Sequence, residues 1–169
     1  MSALSVLSLV LPFPLLFVIH EAEEVLVQHG WMKAHRADLE RRFPWSHNIL
    51  AHLSRLGRRG FAIAALEELL VLSLATCYVL VGGTCSMQAW SALFMAFSLH
   101  LLVHVAQAVA VGGYVPGLAT SLLLLPFAAY GLWSIWLAMG CLEFMAWGLA
   151  GVAFMVANLR LAHWLGSRF

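Results

Sequence analysis

The chain has 169 residues, 63% of them hydrophobic and only 10% charged, with a formal net charge of +1. That balance excludes an ordinary water-soluble domain and gives no reason to expect a nucleic-acid partner. Several apolar runs reach the roughly 20 residues needed to cross a hydrocarbon core of about 30 Å, and most are joined by short connections. The expectation is a single all-α domain over residues 1–169, a polytopic transmembrane helix bundle of five spans with an interfacial helical segment between spans 1 and 2.

The first span covers about residues 3–27, and Pro12 and Pro14 are expected to kink it. It lacks the basic leader region of a cleavable signal, so it is read as a span that stays. Near its end lies His20-Glu21-Ala22-Glu23-Glu24. A histidine and three carboxylates at membrane depth are costly unless something neutralises them, and such groups mark functional sites by default. At 100° per residue, His20, Glu23 and Glu24 share an arc of roughly 100°, with Glu21 pointing away.

Residues 28–60 form the polar connection, with Lys33, Arg36, Arg41, Arg42, Arg55, Arg58 and Arg59. By the positive-inside rule it is cytoplasmic, and Trp31, Phe43 and Trp45 suit a helix at headgroup level. His29, His35, His47 and His52 share no helical stripe and are read as solvated.

Span 2, about 61–81, carries Glu67 and Glu68, and an uncharged turn from Gly82 to Gln88 follows. Span 3, about 89–111, places His100, His104 and Gln107 on a stripe about 60° wide. Span 4, about 115–137, offers hydroxyls such as Thr120, Ser121 and Tyr130. Span 5, about 142–164, has Glu143 at its start and Asn158, Arg160 and His163 toward its end.

These assignments place the N-terminus outside and the C-terminus in the cytoplasm, in a cell membrane crossed several times. Trp90, Trp133, Trp136 and Trp147 then form an outer aromatic belt, and Trp31, Trp45 and Trp164 an inner one. Cys85 and Cys141 fall in outer turns, where a disulfide and two free thiols both stay open as readings.

Depth decides which polar residues can meet. At 1.5 Å per residue the His20 and Glu24 pair, Glu67 with Glu68, and His104 all lie about 6 to 17 Å below the cytoplasmic surface. Thr120, Ser121 and Asn158 share that layer, whereas Glu143 begins span 5 on the opposite side. No lysine or arginine lies there. One or two divalent ions would balance the carboxylates, and imidazole with carboxylate suits Fe, Zn or Mn. The candidate metal ligands are His20, Glu23, Glu24, Glu67, Glu68, His100 and His104, with Glu23 and Glu24 also the candidate catalytic carboxylates. Competing readings are a proton relay and polar glue between helices.

The motif His20-Glu21-Ala22-Glu23-Glu24, with Glu67-Glu68 and His100-Leu101-Leu102-Val103-His104, resembles the HXXEE proteins, small bacterial integral membrane proteins. The likeness runs from about residue 15 to 165 and implies His20, Glu23 and Glu24 as signature residues, without supplying a reaction. Paired glutamates followed by membrane histidines also look like intramembrane CAAX-type proteases. In those an arginine stands four positions after the second glutamate, where this chain has Gln28 and Leu72. A haem is disfavoured, because His100 and His104 on one helix cannot ligate both of its faces.

Two functions follow as expectations. One is a membrane metalloenzyme, an oxidoreductase or hydrolase, acting on a hydrophobic or lipid-like small molecule that enters from the lipid bilayer. The other is a cation or proton transporter using the same cluster, for which only Tyr130 and Glu143 offer an outward route.

Overall fold

Inside a bilayer every backbone N–H and C=O must find its partner within the chain, so long apolar runs have only the helix open to them when no closed barrel can form. A computed structural model describes the backbone of residues 3–168 and the side chains of residues 6–168. The described residues form seven α-helices: α1 (Ala3–Val10), α2 (Pro12–Arg42), α3 (His47–Arg55), α4 (Arg58–Leu80), α5 (Ser86–Val111), α6 (Leu118–Ala138) and α7 (Cys141–Gly166). Five spans are long and apolar enough to cross a membrane, the first combining the end of α1 with α2. The protein is an all-α polytopic transmembrane bundle.

The break in the first span falls at Leu11, one residue before Pro12. Proline is tolerated there because the first turn of a helix leaves its N–H groups unpaired in any case. The polar connection differs from expectation. Instead of ending near Val27, α2 continues unbroken through Gly30 to Arg42, 31 residues in all. Good helix formers and an i, i+4 pair between Arg36 and Glu40 (2.7 Å) sustain the extension. The interfacial helix is thereby reduced to α3, whose Leu50 and Leu53 pack on Met32 and Leu39 of α2. His29, His35, His47 and His52 are exposed, as expected of solvated residues.

Helix α5 packs closely against both α6 and α7, and α4 against α2 and α7. Small residues permit these approaches. At Gly151 a Cβ would lie 2.1 Å from the carbonyl oxygen of Ala92, so α7 rests directly on the α5 backbone. By contrast, α2 and α5 meet through rings. Phe13 contacts Trp90, Phe94 and Phe97 with centroids 5.4, 5.0 and 5.2 Å apart, and Phe17 reaches Phe97 at 5.9 Å. Trp90, expected in the outer belt, is instead fully buried in this aromatic core. Its spacing from Phe94, Phe97 and Leu101 (i, i+4, i+7, i+11) puts it on the inward face of α5. Trp133 and Trp136 do lie exposed on α6.

Two contacts tie the extension of α2 to the rest of the bundle. Arg42 donates through Nη1 and Nη2 to the carbonyls of Val111 (2.7 Å) and Ala110 (3.2 Å), capping the C-terminal end of α5 with a cation. Trp31 Nε1 donates to the carbonyl of Tyr114 (3.0 Å), in the connection between α5 and α6. Cys77, Cys85 and Cys141 are exposed free thiols.

Candidate metal centre

Below the aromatic core, the rings between α2 and α5 become imidazoles. His20 packs edge-on against Phe97 at 5.6 Å, then against His100 at 5.2 Å and His104 at 5.1 Å. One helical turn after His20, Glu24 projects the same way. Its Oε1 lies 3.2 Å from His104 Nε2, and its Oε2 lies 3.9 Å from His100 Nε2. His100 Nε2 and His104 Nε2 are 3.0 Å apart. One donor atom from each of His20, Glu24, His100 and His104 fits within 4.8 Å of all the others, so the four could hold a metal ion. Donors bonded at about 2.0 to 2.1 Å around a tetrahedral ion lie roughly 3.4 Å from one another, which the observed separations bracket.

The surroundings favour a cation. His20 is fully buried, and its Nε2 has no hydrogen-bond partner. The other ring nitrogen, Nδ1, lies 2.9 Å from Thr120 Oγ1. The Thr120 hydroxyl donates to Glu23 Oε2 at 2.6 Å and can therefore only accept from His20. The Nδ1 of His20 must carry the proton, leaving Nε2 as a bare lone pair on a ring packed against those of His100 and His104. The Nε2 atoms of His100 and His104 and the carboxylate of Glu24 converge in the same space, where His104 Nε2 lies within 3.2 Å of both neighbours. A metal ion could satisfy all four together.

Glu23 takes a different part from the one expected of a ligand. Its Oε2 accepts from the Thr120 N–H (2.8 Å) as well as the Thr120 hydroxyl, and its Oε1 accepts from the Tyr114 hydroxyl (2.5 Å) and the Ala119 N–H (3.3 Å). The Ala119 and Thr120 donors sit in the first turn of α6, where backbone N–H groups are unpaired and a carboxylate is favoured, and Tyr114 reaches Glu23 from the connection before it. Burial first, and then the Glu23 carboxylate, push the Tyr114 phenol up to about 12. Glu23 stands behind His20 and outside the four-residue group, because its 100° offset from Glu24 turns it toward α6 rather than α5.

Glu67 and Glu68 also stand outside that group. Glu67 accepts from Asn158 Nδ2 of α7 at 3.1 Å. Glu68 lines a cleft of about 80 Å³ together with Glu21, His100 and Asn158. Gln107, on the same stripe as the two histidines, is exposed. Glu143, expected at the far interface, is exposed and lies 3.4 Å from Gln88 Nε2.

Depth along the spans places Thr120 in the right layer without giving it a role, and it leaves out Tyr114 and Gly117. The signal for those two is the connection Gly112-Gly113-Tyr114-Val115-Pro116-Gly117, a turn-rich stretch between the histidine helix and the threonine helix. Gly117 caps α6 with φ +81°, and a Cβ there would come within 2.8 Å of the His104 ring. Only glycine combines that left-handed backbone with that closeness.

No curated protein and no solved structure matches the chain. The family model described as "Protein of unknown function with HXXEE motif" matches residues 11–131, a stretch that takes in His20 to Glu24, both later histidines and Thr120. The chain belongs to this HXXEE-motif family.

Proposed function

We propose that this protein is a membrane metalloenzyme in which His20, Glu24, His100 and His104 hold one divalent ion, and that its substrate is a lipid-like small molecule entering from the bilayer. The observation that carries the reading is the bare, buried Nε2 of His20, in a residue whose donor atom lies within 4.8 Å of donor atoms on two more imidazoles and a carboxylate. One ion is favoured over two because, among the described residues, only these four bring their donor atoms within 4.8 Å of one another, while Glu23 is engaged by α6 and the Tyr114 hydroxyl and Glu67 by Asn158.

A divalent ion at this donor set supplies Lewis acidity or, if it is iron or manganese, one-electron chemistry. The chain's own contribution is to orient and to keep out water. Glu23 and Thr120 hold the His20 ring in one tautomer, and the aromatic core of Phe13, Trp90, Phe94 and Phe97 closes the bundle above the site. That closure also favours an enzyme over a transporter, since the cluster has no polar continuation through those rings.

Positive charge concentrated between Lys33 and Arg59 supports a site in the cytoplasmic half of the membrane, with the N-terminus outside. The test is elemental. Protein purified without chelator is measured by plasma mass spectrometry for Zn, Fe and Mn, alongside His20→Ala, Glu24→Ala and His104→Ala. About one ion per chain in wild type, lost in all three variants, is expected. Absence of metal from wild type, or full retention in all three, would overturn the reading.

A further inference from the structure

Beside the metal centre, between α2, α4, α5 and α7, lies the cleft of about 80 Å³, apolar along most of its wall. Two carboxylates, Glu21 and Glu68, face into it, and neither has a hydrogen-bond or ion-pair partner among the described residues. Glu67 is different, being held by Asn158. No lysine or arginine lines the cleft. His100, one of the four candidate metal ligands, is part of its lining. Toward the rim stand Phe154 and Leu159 of α7, which are 45% and 37% exposed on the membrane-facing surface.

We propose that this cleft binds the head of a long-chain primary amine, its ammonium group held by Glu21 and Glu68 and its hydrocarbon chain leaving past Phe154 and Leu159 into the bilayer. This names the substrate class for the metal centre and rests on the reading of that centre given above. Charge selects the head. With no lysine or arginine in its lining the cleft offers a fatty acid or a phospholipid phosphate no cationic partner, and the apolar wall favours an amphiphile over a hydrated inorganic ion. A primary amine, protonated at neutral pH like the lysine side chain, brings three N–H donors to those oxygens.

Size selects further. A cavity of about 150 Å³ accommodates benzene, so a cleft about half as large takes an ammonium and the first few methylenes. A trimethylammonium head has no N–H to give to the two carboxyl groups. A ligand held this way has its head and first carbons next to His100 and the metal centre.

The experiment uses full-length protein in phosphatidylcholine nanodiscs and a dodecylamine carrying a diazirine along its chain. After irradiation, labelled peptides are mapped by mass spectrometry, and cobalt loading is measured on the same preparation. The expected result is labelling of α4 or α7 near the cleft that dodecylamine displaces at least tenfold better than dodecanoic acid, dodecanol or dodecyltrimethylammonium. It should fall at least tenfold in the double variant Glu21→Gln, Glu68→Gln, with cobalt loading retained. Equal displacement by all four competitors in wild type would overturn the proposal without recourse to any variant. So would a second cobalt ion lost in the double variant, which would make the cleft a metal site. Normal cobalt loading without selective labelling removes the amine alone, whereas no cobalt in wild type removes the metal centre itself.

Discussion

His20 Nδ1 lies 2.9 Å from the Thr120 hydroxyl, which itself donates to Glu23. A histidine on α2 is thereby oriented by a carboxylate one turn further along the same helix, through a hydroxyl on α6. Partners of this kind fix the tautomer of a metal-binding histidine and commonly change metal affinity by about 10- to 100-fold when removed. Thr120→Val keeps the shape and deletes the hydroxyl, so it should weaken cobalt binding by about that factor while Thr120→Ser stays near wild type. Competition titration against a chelator, with the visible spectrum of bound cobalt as a second readout, checks this. Identical affinities and spectra for wild type and Thr120→Val would refute the orienting role.

Gly117 tests the other side of the centre. Its φ of +81° and the 2.8 Å approach of a Cβ to the His104 ring mean that Gly117→Ala carries both backbone strain and a displaced histidine. Backbone strain of this kind is worth about 1 to 3 kcal/mol. The expected outcome is a lower thermal midpoint together with weaker metal binding. Gly113→Ala, where a Cβ meets nothing within 4 Å, serves as the control and should change neither.

Orientation is checked by reporters fused at the C-terminus. Seven basic residues in the connection between the first two spans, against none in the two connections that follow on the other face, predict a cytoplasmic C-terminus. A cytoplasmic reporter should be active there and a periplasmic one silent. The reverse pattern would place the histidines nearer the outer surface.

Thiol chemistry settles Cys85 and Cys141. With Cys77, Cys85 and Cys141 all free and exposed, denatured protein should show three reactive thiols before reduction as well as after it. One thiol rising to three on reduction would reveal a bridge closing a loop of more than 50 residues.

Much of the centre is legible in the amino-acid sequence. Depth counted along the spans brings His20, Glu24, His100 and His104 to one layer, and the i, i+4 spacing within each pair puts them on one face of each helix. The same arithmetic cannot separate Glu23 from Glu24. Both fall on the arc shared with His20, and only the place of α6 beside α2 gives Glu23 to Tyr114, Thr120 and Ala119 while Glu24 is left to the histidines. Trp90 escapes the sequence for a related reason, since a tryptophan near a span end suits the interface and the core equally until the facing helix is known.

The chain by itself determined the number of spans, their approximate bounds and the polar layer, because hydropathy and helical rise are local quantities that add along the sequence. Tertiary structure decided how each helix is rotated. It made His20, Glu24, His100 and His104 one group, turned Glu23 into the support behind it, and left Glu21 and Glu68 facing a separate cleft. Rotation about a helix axis depends on what packs against every face at once, down to Gly151 on Ala92 and Gly117 on His104.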